Sequence, residues 1–359
     1  MAYTQPRTLT QLRQEPPHKT VKEVLTALKD WEKIHNPVDR GGILNQFQFI
    51  TETTTDSPVA KAFALVPFTS DIVKVREPIY LMPHSFDQLL ERIKLQKDLA
   101  TRLPANLFML NVNTLIQGEQ KERDVCLRLQ DGNRARALVS GRYEAFDNLD
   151  LITLLEPFTE DAQVRWEYND GLTFHLSVTF PKTARELRVG DVVEQGIHIS
   201  NSEVALKSVT LAAYLLRLKC MNGMIGGGND GSFFRVRHTG DHSRLSGIVK
   251  DAINSIKMEA EGLSARFKMA LNTAIADPTG VVEKMARDGN LSQEAFKASL
   301  NALMGDPDAH TLFGVSNSFS AAAQNFDGEE SFELQRMSAK ALVEFAQKEV
   351  KNTQVDRFS

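Results

Sequence analysis

Cysteine is scarce in this chain, two residues in 359, Cys126 and Cys220. That count excludes a disulfide framework and a cysteine zinc set, and it fits a cytoplasmic setting. No apolar run approaches the roughly 18 residues that cross a bilayer. The first twenty residues, MAYTQPRTLTQLRQEPPHKT, lack the apolar core of a signal peptide. Of the eight histidines only His238 and His242 stand four apart, and Gly240 and Asp241 between them mark a strand-to-helix junction rather than a shared helical face. No metal and no cofactor is therefore expected. Positive charge is also short. The net charge is −4, which excludes a basic nucleic-acid coat and leaves any such affinity to a local patch. There is no internal repeat and no low-complexity tract.

What is there reads as a globular protein: 42% hydrophobic and 25% charged residues, over a length that suits two or three domains. Residues 1–19 are polar and proline-containing, a loose arm. Thr20-Val21-Lys22-Glu23 is a capping box, and Val21, Val24, Leu28 and Trp31 at helical spacing predict a helix over 21–35, stopped at Asn36-Pro37. Short strands are expected at 47–50, 62–66 and 72–75, helices near 83–97 and 104–116, and a hairpin over 122–143 turning at Asp131-Gly132-Asn133. A short helix from 148, strands at 163–168, 172–180 and 192–200, and a charged connector at 181–189 follow. The run 204–219 fits strand or helix. From about 243 the pattern turns helical: Leu245, Ile248, Ala252, Ile256, Ala260, Leu263 and Phe267 place one long amphipathic helix over 243–274, with shorter helices at 278–288, 291–304, 307–325 and 329–351. The expected class is α+β: a mixed, mainly antiparallel sheet body with helices, followed by an all-α C-terminal region. Its divisions are a loose arm at 1–19, an α/β body carrying the basic strands at 20–240, and a helical region at 241–359.

The stretch 215–241, LLRLKCMNGMIGGGNDGSFFRVRHTGD, organises the reading. Two alternating runs flank a glycine-rich segment, so a hairpin is expected, with Arg217 and Lys219 sharing a face and Arg235 and Arg237 sharing a face. Arg134 and Arg136 repeat the i, i+2 pattern in the earlier hairpin. Six cations on one sheet face would repel without an anion, and Arg142-Tyr143 and Phe233-Phe234 add aromatics beside them, a combination that suits single-stranded nucleic acid. A solvated sheet face is the plainer reading of each pair alone. Asn222, Gly223, Gly226 and Gly231 read as structural turn positions; they form neither a Walker loop nor GxGxxG. Cys220 with His238 and Asp241 is the weaker, catalytic alternative: a thiol in an electropositive setting with a histidine base, against a small buried cysteine and a polar helix entrance.

These residues carry a resemblance. Arg217-Leu218-Lys219-Cys220-Met221-Asn222-Gly223-Met224 resembles the RxxCxNGM/L signature of the phage/plasmid-like proteins of domain-of-unknown-function family 932. Arg237-His238-Thr239-Gly240-Asp241 stands where that family has an H-x-G step before a long helix. Arg136 to Tyr143 resembles its RAxLSxRY stretch, followed by Asp147-Asn148, and Gly196 to Glu203 resembles its GxxxxNSE/D stretch. Thr311 to Ser318 fills its W-G-xx-N-A-x-T slot, with Phe313 and Ser318 in place of the usual Trp and Ala. The similarity spans roughly residues 120–345. It implies a mobile-element setting in a bacterial or phage-infected cell, near recombination and single-strand-binding genes, and it implies no reaction.

The function expected is nucleic-acid binding by an accessory protein of a phage or plasmid, on single-stranded DNA, in recombination, replication or host takeover. Arg134, Arg136, Arg142, Arg217, Lys219, Arg235 and Arg237 would contact phosphates. The alternatives are an enzyme acting on nucleotides or nucleic acid at the Cys220/His238 turn region, and an interaction protein that self-associates through its C-terminal helices. No membrane partner is expected.

Overall fold

The computed structural model describes residues 19–53, 61–67, 78–118, 124–226, 234–239 and 245–355. The expected arm, save Lys19, lies outside the described residues, as do Gly231, Phe233, Asp241, His242 and the strand expected at 72–75. The chain opens with helix α1 (Val21–His35), whose capping box at Thr20 and Glu23 forms as the sequence predicts; Asn36, at φ 42°, ends it in the left-handed region.

The first sheet has six strands: β1 (Val38–Ile43), β2 (Phe47–Thr53), β3 (Lys61–Pro67), β4 (Ile79–Leu81), β5 (Asp124–Gln130) and β6 (Arg134–Ser140). Their order is β1-β5-β6-β4-β3-β2. All pairings are antiparallel except β4 with β6. Helices α2 (Pro83–Arg92), α3 (Leu99–Arg102) and α4 (Ala105–Gln117) follow β4. Phe86, Leu89, Phe108 and Val112 from α2 and α4 close over Phe49, Leu65, Leu127 and Leu138 to form its core.

After α5 (Asn148–Leu155) comes a second sheet of seven strands: β7 (Gln163–Asn169), β8 (Phe174–Thr179), β9 (Arg185–Arg188), β10 (Asp191–Asn201), β11 (Val209–Arg217), β12 (Asn222–Gly226) and β13 (Phe234–Val236). The remaining described elements are helices: α6 (Leu245–Ala270), α7 (Pro278–Asp288), α8 (Gln293–Met304), α9 (Leu312–Ala322) and α10 (Gly328–Val355). No helix among the described residues is long and apolar enough to cross a membrane. The protein is α+β with mainly antiparallel sheets and a helical C-terminal part.

Both faces of the second sheet are covered. Leu176, Ile197, Ile199, Leu211 and Ala213 meet α1, α5 and the Ala252, Ile253, Ile256 and Ala260 stripe of α6. Ala212, Tyr214, Leu216 and Trp166 face the other way, toward Phe332 of α10. A strand buried on both sides loses its alternation, which is why the run 204–219 is ambiguous by periodicity. The described part of the α6 stripe, Ala252 to Ala260, is spent on this core.

The central hairpin differs from the expected one. Its tight turn is at 218–221, with Met221 at φ 56°. Asn222, Gly223 and Gly226, read as turn positions, lie in β12, paired from Arg217↔Asn222 to Ala213↔Gly226. A Cβ at Gly223 would stand 2.4 Å from the Tyr214 hydroxyl, and one at Gly226 would stand 2.7 Å from Leu263. These glycines admit close packing rather than a turn. β13 then pairs with the opposite end of β11, Thr210↔Arg235. Arg217 and Arg235 are thus separated by seven residues of strand, roughly 24 Å. Arg134 and Arg136 belong to the other sheet. The three basic pairs do not share one sheet face.

Candidate anion-binding groove

The loop after β10 is wedged between the two sheets. The Val204 carbonyl accepts from Gln88 Nε2 at 2.8 Å and faces the His84 ring at 3.1 Å, and Gln88 Oε1 accepts from the Leu138 backbone at 2.8 Å. Val204 packs on Ala137 and Val139 of β6. Beside this wedge runs a groove of about 650 Å³. Its charged lining is unbalanced: Arg92 and Lys94 from the end of α2, Lys207 from the wedge and Arg235 from β13, against one carboxylate, Glu91. Tyr143 and His238 also line it, their rings stacked at 5.1 Å and 17°. Low-dielectric walls lined by one sign of charge focus the field on an incoming anion.

A buried polar network fixes the groove wall. Arg128 grips both oxygens of Asp147 at 2.7 Å, donates to Asp39 at 2.9 Å and to the Glu203 carbonyl at 2.6 Å. Arg136 is ion-paired with the Glu203 carboxylate. The second Glu203 oxygen accepts from the Asn148 backbone at 2.7 Å, and the Tyr143 hydroxyl donates to the Glu203 carbonyl at 3.1 Å. Burial pushes the Tyr143 phenol well above its usual range, so it stays a neutral donor. Asn201 donates to Asn148 Oδ1 and to the Phe146 carbonyl, both at 3.0 Å, and its Oδ1 meets His238 Nε2 at 3.0 Å. Residues from four separate sequence blocks, 136–143, 147–148, 201–203 and 238, converge here.

The expected phosphate contacts divide by burial. Arg136 is 5% exposed and Arg217 8%, and each is committed to a carboxylate. Arg217 holds both oxygens of Asp191, at 2.6 and 2.7 Å, and reaches Asn317 at 3.3 Å. Neither guanidinium is offered to solvent. At β6 the reason is a register shift: Leu129 pairs with Ala135 and Arg128 with Ala137, leaving Arg136 as the extra residue of a bulge, turned inward. Arg134, Arg142, Lys219, Arg235 and Arg237 are exposed, Arg134 with Asp131 at 3.7 Å. Of all seven, Arg235 alone lines the groove. The residues missed were Arg92, Lys94 and Lys207. They come from a helix end and a loop, and no spacing in the sequence connects them.

The catalytic alternative is not assembled. Cys220 sits in the turn beyond Arg217, while β13, which leads to His238, pairs at Val209. At least eight residues of strand, roughly 27 Å, lie between them, and the groove includes His238 but not Cys220. Burial raises the Cys220 thiol above its usual range, the opposite of nucleophile activation. Asn222 instead donates to Asn317 Oδ1 at 2.9 Å, and Gln324 donates to the Cys220 carbonyl at 2.8 Å, tying the 217–222 block to α9 and the turn after it. Among the described residues no group of three His, Cys, Asp or Glu side chains could hold a metal ion.

The model of the family described as Domain of unknown function (DUF932) matches residues 136–354. No curated protein and no solved structure gives a match. The matched span begins at Arg136, and it takes in every residue of the groove-wall network except Asp39 and Arg128.

Proposed function

The chain belongs to the family described as Domain of unknown function (DUF932), and from the groove beside that family's motif residues we propose that it binds single-stranded nucleic acid. The observation that carries the reading is the charge of the groove: four cations to one carboxylate in a molecule whose net charge is −4. Lys94 and Arg235 are exposed at the groove and are the primary phosphate contacts. Arg142 and Arg237, exposed and next in sequence to Tyr143 and His238, extend the path. A phosphate backbone with unpaired bases suits a groove that combines cations with an aromatic ring. The mobile-element setting, with recombination, replication or host takeover as the process inside a bacterial or phage-infected cell, is the part of this proposal that rests on resemblance alone.

Fluorescence anisotropy with labelled single-stranded DNA, duplex DNA and RNA at low and physiological salt tests it. Single strands are expected to bind most tightly. Lys94→Glu with Arg235→Glu is expected to weaken binding and to lower the salt slope by about 0.7 for each phosphate no longer neutralised. Lys219→Glu, at the far end of β11, is expected to leave binding within about twofold. Equal binding by the Lys94/Arg235 variant and the unaltered protein would sink the proposal.

A further inference from the structure

Lys207 stands at the junction of two environments. It lines the groove, and its ammonium is ion-paired with Glu329 at the start of α10, 4.9 Å from the centre of the Phe332 ring. The other Glu329 oxygen faces His175 Nε2 at 2.9 Å. His175 Nδ1 faces His198 Nε2 at 3.3 Å, and His198 Nδ1 faces the Ser177 hydroxyl at 2.8 Å. Both histidines are fully buried, between Trp166 and Phe332.

The donor directions follow from the end of the chain. An ionised Glu329 has only lone pairs to offer. His175 therefore donates from Nε2, His198 donates from Nε2 to His175, and Ser177 donates to His198. Two neutral imidazoles satisfy every position. One further proton has a single entry, His198 Nδ1, with the Ser177 hydroxyl rotating to accept. The resulting charge would lie along the histidine pair, faced by Glu329 and the more distant Asp170, and opposed by Lys207 and by Arg336, which Glu333 pairs at 2.9 Å. Lys207 thus sets the balance, because it both occupies Glu329 and adds positive charge beside the pair.

We propose that the groove is proton-linked: an anion bound at Lys207 draws that ammonium from Glu329 and lets the His175–His198 pair take up a proton, so that acid and anion bind cooperatively. The inference rests on the groove as an anion site and adds its regulation. The electrostatics of the resting state agree. Burial holds both histidines below their usual range; Glu329 opposes it at His175 while Lys207 adds to it, and at His198 the His175 ring, then Lys207, then Arg336 add to it. Glu329, which burial would raise, is brought down to about 2 by His175 and Lys207. Removing or neutralising Lys207 acts in one direction on all of them, toward proton uptake. By linkage the effect is reciprocal.

The test uses the full chain and two probes whose charge is constant over the range studied, a 5′-hydroxyl oligothymidylate and inorganic sulfate. Affinity is expected to rise as pH falls from about 7.5 to 5.5, by up to about tenfold per pH unit where one proton is linked. Calorimetry near pH 6 in two buffers of different ionisation heat is expected to show protons taken up on binding. Glu329→Gln, at a side chain 44% exposed, keeps the fold and removes the link. Its affinity is expected to be nearly flat with pH. Equal pH slopes in the two proteins, or no proton uptake, overturn the coupling. Proton-linked sulfate binding with no oligothymidylate binding supports the coupling and overturns the nucleic-acid reading. If neither probe binds, both are overturned.

Discussion

At the residue scale, the arginines that look most like a platform are the ones most deeply committed. Arg217 opens a motif block, and its work is to hold Asp191 and Asn317, tying the edge of the second sheet to α9. Its guanidinium lies over the Phe313 ring at 4.9 Å, an aromatic face that adds to its anchoring. Asp191 is 1% exposed, and losing Arg217 would leave this buried carboxylate with Arg188 alone, at 3.4 Å. Arg217→Ala is expected to cost about 3–5 kcal/mol, whereas Lys219→Ala, two residues on and exposed, stays within about 0.5 kcal/mol. Urea midpoints of the two variants, measured side by side, check the contrast; equal midpoints would restore Arg217 to the surface. Nothing in the spacing of Arg217 and Lys219 separates these fates, because the deciding carboxylate lies 26 residues upstream in sequence.

At the scale of elements, local signals were legible wherever the chain reports on its own neighbours. The capping box of α1, the hairpin of β5 and β6 with Asp131 and Gly132 at positive φ, and the apolar stripe of α6 are all sequence-local. What failed was long-range: the turn at 218–221 lacks glycine, so the eye moves to the glycine-rich segment beyond it. β1, with Gly41 and Gly42, reads as loop until β5 supplies its partner, and β9 hides in a charged connector until it pairs with β10. Gly196 shows how a motif glycine can be purely architectural. A Cβ there would stand 1.8 Å from the Val178 carbonyl oxygen, a backbone atom that cannot yield. Gly196→Ala is expected to destabilise by at least about 2–3 kcal/mol. Gly262, in α6, meets nothing within 4 Å, and Gly262→Ala is expected to stabilise by about 0.5–1 kcal/mol. Thermal melts of both variants decide; opposite signs are required.

At the scale of the whole molecule, the groove was not legible because it belongs to no single element: α2, the loop after β10 and β13 each contribute one or two cations. The same assembly buries two histidines that the sequence presents as unremarkable, and this has a consequence for stability. His175 and His198 are both held below the ordinary histidine range in the folded chain, chiefly by burial. The unfolded chain therefore takes up protons first as pH falls. Stability is complete above the unfolded value of about 6.5 and is lost as pH drops from there toward the folded values, at up to about 1.4 kcal/mol per pH unit for each histidine. Below about 4.5 Glu329, lowered in the folded state to about 2, adds to the loss in the same direction. Melting temperature is expected to be level between about pH 7 and 8 and to fall steadily from about 6.5 to 5. A bound anion that raises the histidines toward their unfolded value narrows the difference in protons bound, so sulfate is expected to raise the melting temperature more at pH 5.5 than at pH 7.5. A melting temperature unchanged down to pH 5 would mean that the pair already carries a proton in the folded chain, with the Ser177 hydroxyl accepting from His198 Nδ1 rather than donating to it.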